Sequence, residues 1–274
     1  MNRYAPERVV CLTAETTEIA FAVGAGDRVV GVSGYAVRPP EARKKPRVAA
    51  FSTAHVEKIL ALKPDLVLGF SDLQAEIARD LVKAGVTVLI TNQRTLDETY
   101  RAVYQVAAAL GEAERGADIA DGMRSEIEAI REASADAGRR PRVFFEEWDE
   151  PLISGIAWVG ELIEACGGRD LFPELAAGRS AIQRVVAAED VIARDPEVIV
   201  ASWCGKRANL ARIAGRPGWE NVAAVRAGNV YEIKAPDILQ PGPSLIRGAH
   251  ILAEIIGRAR ATNAQTPVPG SLAK

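Results

Sequence analysis

Four carboxylates flank a tryptophan in the second half of the sequence: Glu146 and Glu147 precede Trp148, and Asp149 and Glu150 follow it. Carboxylates at such spacing can act as general acids and bases or coordinate a cation. They follow an apolar run of β-branched and aromatic residues, which places them at the end of a predicted strand. A solvated acidic loop is the simpler interpretation, and both interpretations stay open at this point.

Other chemistry-bearing patterns are sparse. The sequence has no GxSxG, P-loop or HExxH motif, and no GxGxxG follows a predicted strand. The two histidines, His55 and His250, are far apart, and the cysteines Cys11, Cys166 and Cys204 form no CxxC pair. His55 and Cys204 could each supply a metal ligand, but a capping or surface histidine and a buried, inert thiol are the simpler expectations. We therefore expect no enzyme, no intrinsic cofactor and no metal site.

The elements that must position these residues are short strands alternating with helices. Strands are predicted at residues 8–12, 28–32, 66–69, 86–90, 143–146, 198–201 and 230–233. Helices are predicted at residues 17–24, 55–62, 74–84, 159–166, 188–194 and 243–260. This alternation predicts an α/β fold with mostly parallel sheets that are covered on both faces.

Residues 95–138 differ from the rest because they carry no strand signal. A capping box at Thr95 and Glu98 opens an Ala-rich pattern of helical period that is interrupted at Gly111. This pattern predicts one long helix or a pair of helices.

An internal repeat gives the domain organisation. Residues 56–68 match residues 188–200 in pattern: a short helix with Glu at its second position, a turn that ends in Pro, and a buried strand. The spacing is much longer than that of a solenoid repeat. It predicts two similar lobes joined by a helical connector. The predicted division is an N-terminal lobe at 1–94, the connector at 95–138, a C-terminal lobe at 139–260 and a flexible tail at 261–274.

Composition limits the partners. With 34 Lys and Arg against 36 Asp and Glu, the formal net charge is −2, so we expect no nucleic-acid binding. No uncharged apolar stretch approaches the roughly 20 residues of a spanning helix, so we expect no direct membrane insertion. The polar residues 1–8 lead directly into the first predicted strand, without the apolar segment of a secretory signal. We expect either a cytoplasmic protein or an exported one whose signal is missing from this sequence.

Several motifs, in this order, resemble those of the substrate-binding proteins of ABC importers for vitamin B12 and iron siderophores. They are RVVCLTAETTEIA from Arg8, VGVSGY from Val30, VEKILALKPDLV from Val56, ELIEACGG from Glu161 and EDVIARDPEVI from Glu189. The resemblance covers residues 8–258. The B12-binding branch is the more similar, through the segment that ends at Tyr35 and through FEEWDEPLISG from Phe145.

The resemblance implies two similar Rossmann-like lobes with a ligand cleft between them. The implied ligand is a corrinoid of the vitamin B12 type, which the protein would present to a membrane permease. The implied cleft residues are Tyr35, Phe51, Trp148, Trp203, Ile238 and Leu239. Phe51 stands where family members often have Trp, so the apolar wall is kept while the residue differs.

In such importers one Glu on each lobe docks onto arginines of the permease, and the matching positions here are Glu57 and Glu189. We expect a monomer that is periplasmic or otherwise extracytoplasmic. Two alternatives remain: a ferric siderophore or haem as the ligand of the same fold, and a cytosolic protein or enzyme that handles a tetrapyrrole.

Overall fold

The computed structural model describes residues 3–136 and 138–264. The chain divides into two compact units. Unit 1 comprises Met1–Glu126 and Gln240–Ile246, and unit 2 comprises Ile127–Leu239 and Arg247–Lys274. This division differs from the predicted one, because the boundary falls inside the predicted connector and a short segment from near the end of the chain joins unit 1.

Unit 1 is built on a parallel sheet. Its strands are β1 (Val9–Cys11), β2 (Val29–Ser33), β3 (Arg47–Ala49), β4 (Leu66–Phe70) and β5 (Val88–Thr91). They pair in the order β3-β2-β1-β4-β5. Every pairing is parallel, as the alternating pattern predicts. Val10 and Val67 of these strands are buried in one core cluster with Leu81, and Val30 and Val88 pack against it partly buried.

Helices lie between or after these strands. They are α1 (Ala14–Ala22), α2 (Val56–Ala61), α3 (Ala75–Lys83) and α4 (Leu96–Ala109). The predicted capping box at the start of α4 is present, with both reciprocal hydrogen bonds between Thr95 and Glu98. Helix α5 (Ala113–Ala135) follows after the interruption at Gly111, whose φ is +77°. The predicted connector is therefore a pair of helices, of which α4 packs against α1 in unit 1.

Unit 2 contains a mixed sheet. Its strands are β6 (Arg142–Asp149), β7 (Leu152–Ser154), β8 (Arg169–Asp170), β9 (Val198–Ala201) and β10 (Val230–Glu232). The order is β10-β9-β6-β7, and β8 also pairs with β6. The hairpin of β6 and β7 is antiparallel, and the other pairings are parallel. The core includes Phe144 and Trp219, whose ring centroids lie 6.2 Å apart.

The remaining helices are α6 (Ala157–Ala165), α7 (Ala188–Arg194), α8 (Leu210–Ala214), α9 (Ala223–Arg226), α10 (Ala235–Ile238) and α11 (Leu245–Ala264). Helix α11 extends past the predicted start of the tail at residue 261, because the helical pattern continues through Ala261 and Thr262. The rest of the predicted tail, residues 265–274, lies outside the described residues. In the part of the chain that the structure describes, no helix combines the length and apolar character needed to cross a membrane.

The internal repeat is present in both units. Helix α2 leads through a turn into β4, and helix α7 leads through a turn into β9. In unit 1 the turn is bound by Arg8, which donates hydrogen bonds to the carbonyl oxygens of Leu62 (2.9 and 2.6 Å) and Lys63 (3.2 Å). The carboxylate of Asp65 accepts from the backbone N–H of Arg8 at 3.0 Å. The start of β1 is thereby tied to the turn before β4.

The same contacts recur in unit 2. Arg142 donates to the carbonyl oxygens of Arg194 (3.1 Å) and Asp195 (2.9 and 2.6 Å), and the carboxylate of Glu197 accepts from the Arg142 N–H at 3.0 Å. The turn residues Lys63 and Asp195 both have positive φ, at 48° and 46°. The prediction of two similar lobes is thus confirmed down to side-chain contacts.

Candidate functional site

The C-terminal ends of the unit 1 strands carry two of the predicted ligand-binding residues. Tyr35 lies two residues after β2 and its side chain is 45% exposed. Phe51 lies two residues after the neighbouring β3 and is partly buried, with its ring centroid 6.1 Å from that of Phe70 at the end of β4. Ligands of parallel α/β sheets bind at this edge, so both residues lie where a binding residue is expected.

Gln74 holds the backbone at this edge in place. It is fully buried; its Oε1 accepts a hydrogen bond from the N–H of Phe70 at 3.1 Å and its Nε2 donates to the carbonyl oxygen of Phe51 at 2.8 Å. Gly69 leaves room for it, because a Cβ at that position would lie 2.4 Å from Gln74 Oε1. The residues after β3 and β4 are therefore fixed by one buried amide.

A buried arginine follows β5 in unit 1. Arg94 donates to Asp72 Oδ1 at 2.9 Å and to Ser71 Oγ at 3.3 Å, and its guanidinium carbon lies 5.3 Å from the ring centroid of Phe70. The hydrogen bond from Ser71 and the charge of Arg94 hold the pKa of Asp72 below its ordinary value. Arg94 thus has carboxylate, hydroxyl and aromatic partners within its own unit.

Two further polar side chains at this edge are buried without full hydrogen bonding. Glu15, in the first turn of α1, and Gln93, two residues after β5, are each 3% exposed. The Oε1 atom of each has no hydrogen-bond partner in the described part of the chain. Burial raises the pKa of Glu15 to about 7, against the hydrogen bond from Thr13 that favours the charged form. Sequence reasoning missed both residues, although Glu15 is a carboxylate directly after a buried strand.

In unit 2, the predicted ligand-binding tryptophans lie on either side of one lysine. The Nζ of Lys206 is 4.1 Å from the ring centroid of Trp148 and 4.7 Å from that of Trp203. Trp148 is partly buried, whereas Trp203 is only 3% exposed and belongs to the core of unit 2. Of the two rings, only that of Trp148 retains appreciable surface.

The acidic cluster around Trp148 is a network of ion pairs. Glu146 pairs with Arg216 (2.5 Å), Glu147 with Arg184 (2.5 Å), and Asp149 with Lys206 (2.8 Å) and Arg212 (3.3 Å). The remaining carboxylate, Glu150, also pairs with Arg212. The interpretation as a solvated loop is wrong for Glu146, Glu147 and Asp149, whose carboxylates are at most 20% exposed and pair with basic side chains. These pairs join the end of β6 to Arg184 and to the segment 204–216.

Burial and charge act in opposite directions within this network. Glu146 is fully buried, which raises its pKa, while the hydrogen bonds and charge of Arg216 oppose the rise. At Asp149, burial alone would raise the pKa, but hydrogen bonding from Lys206 and the charges of Lys206 and Arg212 hold it below the ordinary value. This carboxylate is therefore ionised and is not a general acid.

The last two predicted ligand-binding residues lie at the end of the first of the two segments that form unit 2. Ile238 is fully buried, and its carbonyl oxygen accepts a hydrogen bond from Trp158 Nε1 at 2.9 Å. Leu239, the next residue, is partly exposed. Within unit 2, the structure joins Trp148 to Trp203 through Lys206.

Exposed apolar side chains near the strand ends were missed by sequence reasoning. Leu73, three residues after β4, is 60% exposed. In unit 2, Ile182 is 76% exposed, and Val185, which forms an isolated bridge to Ile153 of β7, is 37% exposed. Their signal in the sequence is an apolar residue within a polar loop, as in the SDLQ and RSAIQR segments. Large exposed apolar side chains close to strand ends suit an apolar ligand.

The predicted docking glutamates occupy equivalent positions. Glu57 and Glu189 are each the second residue of a short helix, α2 in unit 1 and α7 in unit 2, and both are exposed. Within residues 3–136 and 138–264, neither carboxylate takes part in an ion pair or hydrogen bond. Both are therefore available to a partner with basic side chains.

The two metal-ligand candidates lie at the surface. His55 is exposed at the N-cap position of α2, and its side chain makes no capping hydrogen bond. Cys204 is exposed, so the expectation of a buried thiol was wrong for this cysteine, because it follows β9 and lies in the polar segment CGKR. Cys11 and Cys166 are buried, which raises the pKa of each thiol to about 12. No group of three or more His, Cys, Asp or Glu that could hold a metal is found among the described residues.

Comparison with known proteins gives one consistent family. A family model described as periplasmic binding protein matches residues 9–236. An uncharacterized ABC transporter substrate-binding lipoprotein of Bacillus subtilis is 28% identical over 92% of this chain and 80% of its own length. A vitamin B12-binding protein of Vibrio parahaemolyticus is 29% identical over 86% of this chain and 84% of its own length.

Solved structures give the same fold with different ligands. A periplasmic heme-binding protein from Roseiflexus in its apo form has a TM-score of 0.82 at 27% identity, covering 93% of this chain and 99% of that one. A periplasmic vitamin B12-binding protein of Vibrio cholerae has a TM-score of 0.74 at 28% identity, covering 93% of this chain and 98% of that one. These four relatives are binding proteins by name.

Proposed function

The chain belongs to the periplasmic binding protein family, and we propose that it is the substrate-binding component of an ABC importer that carries a corrinoid of the vitamin B12 type. As a member of a family of solute-binding proteins, it is not an enzyme. The names of the relatives support an extracytoplasmic location. We also propose that the protein is a monomer.

One observation is the main support for a corrinoid as the ligand. Tyr35 and Leu73 expose 45% and 60% of their side chains just after the strand ends of unit 1, where a parallel sheet binds ligands. A corrinoid presents a wide apolar face with carboxamide arms, and exposed aromatic and aliphatic side chains suit that face. Phe51 and Trp148, which keep part of their rings accessible, add to the apolar surface.

The relatives support a corrinoid through their names, since vitamin B12-binding proteins match most of the chain. Within unit 2, Lys206 holds Trp148 by a cation–π contact and Asp149 by an ion pair. The ring of Trp148 is therefore oriented before any ligand arrives, which lowers the entropic cost of binding. In the proposal Trp203 supports this arrangement from the core, and Ile238 and Leu239 support the neighbouring backbone.

A haem or ferric siderophore is the second candidate. The exposed phenol of Tyr35 favours it, because a tyrosine oxygen can ligate haem iron, and a heme-binding protein is among the structures with the same fold. The further alternative of a cytosolic tetrapyrrole enzyme loses its support from the residues, since the carboxylates of the acidic cluster are occupied by Arg184, Lys206, Arg212 and Arg216.

The permease would be recognised through Glu57 and Glu189. Each is an exposed carboxylate at the second position of equivalent helices in the two units, without a basic partner among the described residues. Like-placed negative charges on two lobes would meet arginines on the permease and set the orientation of docking.

Titration calorimetry with cyanocobalamin, dicyanocobinamide, haem and a ferric hydroxamate tests the ligand. We expect one site per chain for the corrinoids and weaker or no binding of the other two. Binding of haem or of the hydroxamate alone would contradict the corrinoid assignment and support the second candidate.

A further inference from the structure

Two acceptor oxygens in unit 1 are buried without a donor. Oε1 of Glu15 and Oε1 of Gln93 have no hydrogen-bond partner in the described residues, and each side chain is 3% exposed. Glu15 follows β1 and Gln93 follows β5, so both lie beyond the C-terminal ends of parallel strands. A buried acceptor without a donor is rare and unfavourable, which points to a donor that the free chain does not supply.

Both residues pack against the segment of unit 1 that comes from near the end of the chain. The Nε2 of Gln93 donates to the carbonyl oxygen of Pro241 at 3.3 Å. Next along the chain, Gly242 lies so close to Glu15 that a Cβ there would be 3.0 Å from Glu15 Cβ. Because Pro241 and Gly242 are adjacent, the side chains of Gln93 and Glu15 both pack against one short stretch of backbone, and we call these two side chains the polar area.

Among the residues that the structure describes, Glu15 has no basic partner. The groups that act on it are the hydroxyl of Thr13, the buried thiol of Cys11 and the carboxylate of Glu18. Glu18 is itself hydrogen-bonded to Ser244 and lies 3.8 Å from Nε of Arg38. In its ionised form Glu15 offers acceptors only, so a second carboxylate placed in the polar area would be repelled.

We propose that Glu15 and Gln93 form an acceptor subsite that binds carboxamide N–H groups of the transported ligand and excludes a ligand presenting carboxylates at that place. This inference rests on the proposed corrinoid-binding function. A corrinoid carries carboxamide arms, whereas the peripheral acids of a haem are carboxylates. The subsite therefore selects between the two ligand classes that share this fold.

Titration calorimetry with dicyanocobinamide and dicyanocobyrinic acid, in which carboxylates replace the amides, tests the subsite. We expect the wild-type protein to prefer the amide probe by at least about tenfold, the size of one good hydrogen bond to a charged group. Glu15→Gln removes the charge at nearly constant shape and should reduce this preference by about the same factor. Gln93→Leu should weaken binding of the amide probe.

Glu76→Gln is the matched control. Glu76 is the second residue of the nine-residue helix α3, as Glu15 is of the nine-residue helix α1, but it is exposed and pairs with Arg79. This variant should bind both probes as wild type does. The melting temperature of each variant, measured without ligand, shows that it is folded.

Proton release gives a second readout. Glu15 has a pKa of about 7, so at pH 7 about half of the ligand-free molecules carry a proton on it. A carboxylate that accepts a ligand N–H is held in its charged form, so binding should release about half a proton per chain. The heat of binding dicyanocobinamide should therefore differ between phosphate and Tris buffers for wild type and Glu76→Gln, and should be the same in both buffers for Glu15→Gln.

The outcomes separate the subsite from the proposed function. Binding of the amide probe with an unchanged preference and unchanged proton release in Glu15→Gln would overturn the subsite and leave the corrinoid function standing. If the wild-type protein binds neither corrinoid, the proposed function is contradicted and the subsite with it.

Discussion

The carboxylate of Glu146 accepts two hydrogen bonds from the guanidinium of Arg216, at 2.5 and 2.9 Å. Its Oε1 also accepts one from the indole N–H of Trp203 at 3.1 Å. The carboxylate is fully buried, so the pair lies where an unpaired charge would be costly. These contacts join the end of β6 to a segment about 70 residues later in the chain.

Breaking this pair should destabilise the protein. Arg216→Ala would leave the buried charge of Glu146 uncompensated, and we expect a loss of about 3 kcal/mol in the free energy of unfolding. Urea denaturation followed by circular dichroism measures it. The matched control is Glu150→Ala in the same cluster; Glu150 is 75% exposed, and loss of its pair with Arg212 should cost under about 1 kcal/mol. Equal losses of unfolding free energy in the two variants would contradict the prediction that a buried ion pair matters more to stability than an exposed one.

The two tryptophans of this region should respond differently to truncation. Trp203→Ala removes a 3% exposed ring from the core and should cost about 4 kcal/mol of stability. Trp148→Ala removes a partly exposed ring and should mainly lower corrinoid affinity, by about 1 to 2 kcal/mol. Denaturant unfolding and titration calorimetry on both variants separate the effects. Loss of affinity without loss of stability in Trp203→Ala would show that its ring contacts ligand directly.

Truncation of the exposed apolar residues after β2 and β4 should weaken ligand binding. We expect Tyr35→Ala and Leu73→Ala each to lower corrinoid affinity by about 1 kcal/mol through lost apolar contact, with an unchanged melting temperature. Val82→Ala and Tyr104→Ala are the controls, since they remove exposed apolar side chains from helices α3 and α4. A similar loss in the control variants would assign the effect to general surface changes.

Stability should fall as the pH rises through the titration of Glu15. Its pKa is about 7 in the folded protein against an ordinary 4.5, so between these values the folded chain holds a proton that the unfolded chain has lost. The free energy of unfolding of the ligand-free protein should therefore drop by about 3 kcal/mol over this range from Glu15 alone. Glu15→Gln should remove that part of the slope, and Glu76→Gln should keep it. Asp170, whose pKa burial raises to about 6, contributes in the same direction in all three proteins.

Transport should depend on the two exposed glutamates without any change in ligand affinity. In vesicles reconstituted with the cognate permease, Glu57→Ala combined with Glu189→Ala should abolish uptake, and docking of the wild type should weaken as salt rises. Glu76→Ala combined with Glu114→Ala is the control, since these are also exposed first-turn glutamates. Normal uptake by the first double variant would remove the docking role.

The repeat could be predicted from the sequence because its signal is local. A short helix, a turn ended by proline and an apolar strand can be recognised within 13 residues, and both copies, α2 with β4 and α7 with β9, are present. The short strands β3, β7 and β8 were missed, because they lack the run of β-branched residues by which the equally short β1 could be recognised.

The state of the acidic cluster could not be predicted in this way. The carboxylates are visible in the sequence, but the partners of Glu146 and Glu147 lie 70 and 37 residues away. Whether the side chain of a residue near a strand end is buried or exposed depends on the packing of the whole unit. Trp203 and Ile238 are therefore buried, although the sequence predicted the same cleft position for them as for Trp148. The unpartnered acceptors of Glu15 and Gln93 likewise become visible only when every neighbouring donor is known.

The segment Gln240–Ile246 has a consequence for synthesis of the protein. A chain folds from its N-terminus as it leaves the ribosome, and the strands of unit 1 have all been made once Thr91 has been translated. Ser244, which donates hydrogen bonds to Glu18, is translated only after β6 to β10 of unit 2. Unit 1 therefore begins to fold first but cannot be completed until most of unit 2 has been made. A nascent chain arrested before residue 240 would have the sheet of unit 1 but would lack Pro241 and Gly242, which pack on Gln93 and Glu15. These contacts can therefore form only when nearly the whole polypeptide has been made.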